Sequence, residues 1–278
     1  MIVVTIATKK FGYYECLKKQ CDRLGLKLVT LGLNQKWTGF AMRYRLLGDF
    51  IKNLDENEII LYIDAYDVII TQGENIILQK FINFRKNIVF GLQNGFFSRR
   101  FYSNCNNNIL NAGSYIGKVK WIKKLLKIVD NKSFHKLCNN DDQEVLNMVC
   151  NKKKFKQFFI KNIGIDIEQK IFYITDMTHY FYPKYLIDND IGLACRGKKI
   201  LKGEIEPSVI HFAGGLDAKK YLKCLKLKDP HNIKFKKEGD FKFFQVLNIL
   251  KNNNIHIYIS IFVILVILII TSINRFKI

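Results

Sequence analysis

Two aspartates three positions apart, Asp64 and Asp67, interrupt an otherwise apolar run, IILYIDAYDVII, over residues 59–70. Burying an unpaired carboxylate costs several kcal/mol, so each acid in such a place needs a compensating charge. The two cannot share one face of a regular strand, whose side chains alternate, but they converge if the chain turns at the strand's end. A divalent cation is one natural compensation. Ligands of open α/β sheets sit at strand ends, and hard oxygen donors suit Mg²⁺ or Mn²⁺ holding a phosphate-bearing substrate. A bare D-x-x-D also fits two acids that cap a strand and face water.

Other residues of possible chemistry are scattered along the chain. His211 closes the strand-like VIHFAGG of residues 209–215 beside two glycines, where a lone histidine is either structural or a third metal ligand. Asp141 and Asp142, in NNDDQ, precede a helical stretch. A helix N-terminus favours negative charge, so capping accounts for them as well as a catalytic role does. Trp37 lies in the loop GLNQKWTGF, as a packing plug or a ligand contact, and Arg43 and Arg45 follow on the next helix. Phe96, Phe97, Arg99, Arg100 and Tyr102 interleave rings and cations, which suits base stacking or the aromatic wall of a substrate loop.

The elements that must position these residues alternate as in an α/β protein. A buried strand over 2–7, a helix over 13–24 closed by Gly25 and a strand over 26–31 make a β-α-β unit from the first residue. A helix over 43–52 leads into the 59–70 strand, which reads as buried on both faces in the manner of a parallel sheet. Next come an amphipathic helix over 74–84, with Ile77, Phe81 and Phe84 on one side, and a strand over 87–92. The strand of residues 109–117, ILNAGSYIG, is broken by Asn111, Gly113 and Gly117, which calls for backbone freedom or close approach of another group. Helices over 121–129 and 144–150, short strands within 163–174 and the 209–215 strand complete the pattern.

Composition sets broad limits. The 278 residues, 49% hydrophobic and 25% charged, describe a globular chain rather than a disordered one. The excess of 45 Lys+Arg over 24 Asp+Glu suits a nucleotide, a nucleic acid or an anionic membrane, or follows from a Lys-, Asn- and Ile-rich coding bias. Seven cysteines, an odd number without zinc spacing, read as free thiols of a reducing compartment. Residues 1–8 are too short and too uncharged at their start for a secretory signal. Residues 218–254 are strongly basic, and 255–273 form an uncharged apolar stretch of about the ~20 residues of a spanning helix. The expectation is a single-pass C-terminal anchor with a basic flank on anionic lipid, and a cytoplasmic globular domain by the positive-inside rule.

The order of these pieces is more specific than any one of them. VVTIATK at residues 3–9, LGLNQKWTGF at 31–40, LYIDAYDVI at 61–69, ILNAGSYIG at 109–117, DDQ at 141–143 and VIHFAGG at 209–215 together resemble the glycosyltransferase domain of the procollagen lysyl hydroxylases. The procollagen galactosyltransferases are a more distant likeness. The resemblance covers residues 1–215. It implies a GT-A fold, a Rossmann-like nucleotide-binding sheet joined to an acceptor half, over residues 1–216. It also implies transfer of glucose or galactose from a UDP-sugar, with Mn²⁺, to a hydroxylysine-linked or other collagen-like acceptor. By the same resemblance Asp64, Asp67 and His211 hold the metal and Tyr66 stacks on uracil. Trp37 and Arg43, the latter in place of a lysine, lie near the donor. Asn111 and Gly113 match an LNSGG motif lining the sugar pocket, and Asp141 and Asp142 match acidic residues on the acceptor side, one of which an inverting reaction would use as base. The family's HGNG turn is HFAG here, with Phe212 and Ala213 as replacements and Gly214 retained near the diphosphate. Two alternatives follow from these departures and from the basic segment: an inactive UDP-binding scaffold, and a membrane-tethered nucleic-acid binder, although no nucleic-acid partner is expected of the family.

Overall fold

Strands whose alternate residues are apolar on both faces must be covered on both, and this produces the central layer. The computed structural model describes residues 1–93, 98–175, 192–213 and 218–227, all within one unit, Met1–Ile233. In chain order the elements are β1 (Ile2–Ile6), α1 (Tyr14–Arg23), β2 (Leu28–Leu31), α2 (Ala41–Ile51), β3 (Ile59–Ile63), β4 (Val68–Ile70), α3 (Glu74–Asn83), β5 (Ile88–Leu92), α4 (Ser98–Phe101), β6 (Leu110–Lys118), α5 (Val119–Val129), α6 (Lys132–Leu137), α7 (Asp142–Cys150), α8 (Lys153–Asn162), β7 (Ile163–Asp166), β8 (Phe172–Ile174), β9 (Ala194–Arg196), β10 (Lys199–Leu201), β11 (Val209–His211) and α9 (Lys219–Cys224). A six-stranded sheet has the order β2-β1-β3-β6-β5-β7, and a three-stranded sheet the order β4-β11-β8. The chain is therefore α/β, with the β-α-β start, the helices and the strand positions close to those expected.

Period-two alternation assigns the two cores. Val4, Ile60, Tyr62, Ile88 and Phe90 face one way, onto Leu47, Ile51, Ile122, Leu125, Val145 and Val149 of α2, α5 and α7. Val3, Leu61, Ile63, Val89 and Ile116 face the other, onto Leu17 and Cys21 of α1, Ile77 and Phe81 of α3, and Ile70, Phe172 and Val209 of the small sheet. Full burial of one such aliphatic side chain is worth about 1.5–3 kcal/mol, so β3, lined on both sides, is a principal anchor.

Two expectations require correction. Residues 59–70 are not one strand: β3 lies in the large sheet and β4 in the small one, and Asp64–Asp67 make the passage between them. The passage is fixed at both ends, because Asp64 N–H donates to the Gly113 carbonyl at 2.9 Å and Phe212 N–H donates to the Asp67 carbonyl at 2.7 Å. Nor is the sheet around β3 parallel throughout. β1 runs parallel to β3, but β6 is inserted antiparallel between β3 and β5. The second crossing between the sheets, from β7 to β8, is also made by an aspartate. The buried Asp166 carboxylate accepts the N–H groups of Lys170, Ile171 and Phe172 at 2.9, 2.6 and 2.7 Å.

The cysteines also depart from expectation. Cys105 is bonded to Cys150 and Cys195 to Cys224, while Cys16, Cys21 and Cys138 are free and buried. Sequence separations of 45 and 29 residues hid both pairings. The first ties the loop before β6 to the last residue of α7, and the second ties the β9–β10 hairpin to α9. Among the described residues no helix is long and apolar enough to cross a membrane. The expected anchor at 255–273, residues 217 and 228–254 of the basic segment, Gly214 and the Phe96 and Phe97 part of the aromatic loop lie outside the described residues.

The glycines of β6 are explained by close approach. A Cβ on Gly117 would stand 2.8 Å from Ile88 Cγ1 and 2.9 Å from the Asn87 carbonyl on the neighbouring strand, whereas one on Gly48 of α2 would meet Leu126 Cδ1 at an ordinary 3.7 Å. Gly117→Ala is expected to lower stability by about 1–3 kcal/mol, and Gly48→Ala to raise it by about 0.5–1 kcal/mol through helix propensity. Denaturant melts of both variants check the opposite signs. Alkylation of the unfolded, unreduced chain, read by mass spectrometry, is expected to label Cys16, Cys21 and Cys138 and to spare Cys105, Cys150, Cys195 and Cys224.

Candidate active site

The end of β3 is where the two sheets, the β1–α1 loop and two helices meet. Asp64 and Asp67 occupy the passage from β3 to β4, and β11 pairs with β4 so that His211 lies opposite Val68, the residue after Asp67. His211 Nε2 stands 3.6 Å from Asp64 Oδ2 and 3.3 Å from Asp67 Oδ1. One donor atom from each of the three lies within 4.8 Å of the others. The other imidazole nitrogen, Nδ1, is 3.1 Å from Ser114 Oγ. That contact orients the ring, as an outer partner orients a ligating histidine. β6 supplies the space: a Cβ on Gly113 would collide with the Asp64 carboxylate and come within 2.9 Å of His211 Cε1.

Arg43, in the first turn of α2, joins this cluster to a third acid. Its Nη2 lies 3.0 Å from Asp64 Oδ1 and its Nη1 lies 3.1 Å from Asp142 Oδ2. Asp142, 4% exposed, opens α7, and its carbonyl accepts a 2.8 Å hydrogen bond from the Tyr44 hydroxyl. The position of α7 is set from several sides. Asn147 exchanges hydrogen bonds with Leu110 of β6, Ser103 bonds the Glu144 carboxylate through N–H and hydroxyl, and Cys150 is cross-linked to Cys105.

Electrostatics favour an added cation. Asp64, Asp67 and Asp142 stand against one guanidinium and one imidazole, so with all three acids ionised the cluster is negative even when His211 is charged. Burial opposes charge on His211, but Asp67 and Asp64 outweigh it and raise its pKa. Burial likewise opposes charge on Arg43, and Asp64 and Asp142 hold it protonated. Burial raises the pKa of Asp64, against the opposing pull of Arg43 and His211. Two carboxylates and an imidazole on rigid strand ends, with charge to spare, fit a divalent ion of the Mn²⁺ or Mg²⁺ type.

The remaining residues singled out in the sequence fall around this centre. The Tyr66 hydroxyl accepts hydrogen bonds from the N–H groups of Thr8 at 3.0 Å and Lys9 at 3.3 Å, and Phe11 meets its ring edge-on at 5.8 Å. Asn111 donates to Gln93 Oε1 at 2.8 Å and Gln143 Oε1 at 3.3 Å, and its own oxygen accepts the Gly113 N–H at 3.0 Å. Trp37 stays 41% exposed, edge-on to Phe40, whose ring lies 5.0 Å from the Arg43 guanidinium carbon. Asp141 caps α7 by accepting the Glu144 N–H at 3.0 Å, which is the capping role its position before a helix suggested. Three contributors escaped sequence reasoning as site residues: Ser114, Gln93 and Gln143. Gln93 carried a usable signal, a polar side chain immediately after the apolar IVFGL strand and 2% exposed.

Burial, together with the neighbouring Asp142 charge, pushes the Asp141 pKa up to about 6. An acid with a raised folded pKa binds more protons folded than unfolded, so its stabilising contribution is complete below pH ~4 and is lost as pH rises through about 6. Asp141→Asn keeps a cap of equal quality. It is expected to flatten the stability profile between pH 4 and 6.5, by on the order of 1 kcal/mol relative to the parent, in denaturant melts across that range.

The chain is similar in sequence to known proteins. The family model described as the PLOD GT domain matches residues 1–179. Procollagen-lysine,2-oxoglutarate 5-dioxygenase 1 of Bos taurus is 34% identical over 101 residues, which is 34% of this chain and 14% of that protein. The multifunctional procollagen lysine hydroxylase and glycosyltransferase of Caenorhabditis elegans is 26% identical over 200 residues, 62% of this chain and 25% of that protein. The matched region thus spans a quarter or less of the length of these relatives. Among solved structures, the galactosyltransferase LgtC, in complex with donor and acceptor sugar analogs, is similar with a TM-score of 0.49 at 10% identity, over 86% of this chain and 99% of that one. The family match takes in well over half of the 278 residues, among them Asp64, Asp67, Asn111, Gly113 and Asp142, and the chain belongs to the PLOD GT-domain family of glycosyltransferases.

Proposed function

We propose that this chain is a metal-dependent hexosyltransferase of GT-A architecture that moves glucose or galactose from a UDP-sugar to a hydroxylysine-linked or collagen-like acceptor. The observation that carries this reading is the convergence of Asp64, Asp67 and His211, whose donor atoms lie within 4.8 Å of one another at the junction of two sheets. These three residues would hold Mn²⁺, and a cation bound there supplies neutralisation of the diphosphate leaving group. The chain's own residues do the rest. Tyr66, held by two backbone N–H groups through its hydroxyl, presents its ring to the uracil. Asn111, fixed by Gln93 and Gln143, lines the sugar side, and Gly113 keeps β6 from intruding on Asp64. Trp37 and Arg43 belong to the donor side, to which the resemblance alone assigns Gly214, and Asp141 and Asp142, at the start of α7, are the acids of the acceptor side. Preorganised charges of this kind lower a barrier without reorganising during the reaction.

In the altered HFAG turn Phe212 is accommodated without strain on the site, whereas Ala213 removes the polar group that the resemblance expects beside the diphosphate. Phe212 is fully buried with its ring 5.5 Å from that of Tyr221, so the bulk gained over glycine is absorbed by the core. The two cystines fit folding in an oxidising compartment better than the cytoplasmic placement drawn from charge bias, and they agree with the place where collagen-like acceptors are modified in animal cells. The membrane anchor of this proposal rests on the sequence of residues 255–273 alone.

UDP release from UDP-glucose and UDP-galactose, with and without Mn²⁺ and with a hydroxylysine-bearing collagen peptide, tests the reading. Activity is expected with one donor, lost on chelation and restored by Mn²⁺. Asp64→Ala is expected to lower kcat/KM at least about 100-fold, the size of effect seen when an electrostatic stabiliser is removed, while the variant still melts cooperatively. Undiminished turnover in that variant, or turnover indifferent to chelation, would overturn the assignment.

A further inference from the structure

Arg43 is placed to do more than neutralise buried acid. The two oxygens of Asp64 face different partners: Oδ1 meets Arg43 Nη2 at 3.0 Å, and Oδ2 looks towards His211 Nε2 at 3.6 Å. The other arm of the guanidinium reaches Asp142 Oδ2 at 3.1 Å, on a different element. All three side chains are largely withdrawn from water, at 18%, 17% and 6% exposure, so their charges are weakly screened. A planar fork can grip both oxygens of one carboxylate, but here it is divided between two. The ring of Phe40, 5.0 Å from the guanidinium carbon, packs beside it.

We infer that Arg43 is a positioning residue that couples Asp142 to the metal cluster, so that the acid at the start of α7 sets how well Asp64 serves as a cation ligand. The inference rests on the cation-holding role proposed for Asp64. Asp142 takes one arm of the guanidinium, which leaves Asp64 with Oδ1 on the other arm and Oδ2 free of Arg43, so that Asp64 would be the stronger ligand for a cation. Without the Asp142 carboxylate the whole guanidinium falls on Asp64, which would then serve a cation less well, and affinity would drop. Acceptor-side and donor-side chemistry are thereby connected through a single cation on the first turn of α2.

The test is a double-mutant cycle on the full chain, with Mn²⁺ alone as probe and free Mn²⁺ counted by electron paramagnetic resonance. Asp142→Asn is expected to weaken Mn²⁺ binding about 10-fold with Arg43 present and less than about 2-fold in an Arg43→Gln background, a coupling within the range found for contacting residues. Arg43→Lys, with one compact charge in place of the fork, is expected not to restore the coupling, and it replaces Arg43→Gln as background if that variant fails to melt cooperatively. An equal effect of Asp142→Asn in both backgrounds would mean direct action through space and would overturn the inference, as would no effect in either. Asp64→Ala separates the two claims: Mn²⁺ binding that survives it removes the cation site itself, whereas its loss there, with an uncoupled cycle, removes only the role of Arg43.

Discussion

Like-charge repulsion among buried and half-buried carboxylates is the constraint on which the rest of this structure depends. Asp64, Asp67 and Asp142 are gathered into one region with a single guanidinium and a single imidazole between them. Left to themselves, such groups would separate or take up protons, because desolvation in a protein interior favours the neutral acid. They stay together because the backbone leaves them little freedom. The residues before Asp64 and after Asp67 are committed to different sheets, and the main chain at each acid is bonded to a third strand, Gly113 of β6 or Phe212 beyond β11. The repulsion is thus held against two hydrophobic cores, and a cluster so held is primed for a cation.

That arrangement makes sense of features that look unrelated. The large and small sheets are joined twice, once by the Asp64–Asp67 passage and once by the turn in which Asp166 accepts three N–H groups. The second junction is chemically quiet, and it keeps β8, and with it β11 and His211, in register with β4. Gly113 has no conformational need to be glycine, since its φ is not positive. It is glycine because the Asp64 carboxylate and His211 ring occupy the volume of a Cβ. Close approach, rather than backbone freedom, is also the reason for Gly117 on the same strand.

What could be read from the sequence divides along the same physical line. Asp64 and Asp67 were visible because acids in an apolar run contradict their surroundings, and a local contradiction can be seen without a fold. The break of that run into two strands could not be seen. IILYI and VII have the same burial and the same β-branched character, and nothing local records that they pair with different partners. Cys105 and Cys150 reveal no more, since pairing depends on where α7 lies against β6. The helix α8, KKFKQFFIKN, was missed because its lysines mask a narrow apolar stripe, with only Phe159 and Asn162 buried. Family resemblance reached further than periodicity because ordered motifs report contacts between distant segments. It named Asp64, Asp67 and His211 as a set before any geometry joined them.

Resemblance has a limit of its own, and Arg43 marks it. A motif assigns a residue to a neighbourhood, in this case the donor side of the pocket, but the function of a charged group depends on which partners share its field. In this chain the guanidinium lies between Asp64, at the end of β3, and Asp142, at the start of α7. A lysine at that place in the family pattern would offer a single centre of charge and could not be divided in the same geometry. Arginine in place of that lysine keeps the local charge and adds a second arm, which here reaches Asp142. The shape of the cation, and not its charge alone, therefore decides whether one side chain can meet Asp64 and Asp142 together.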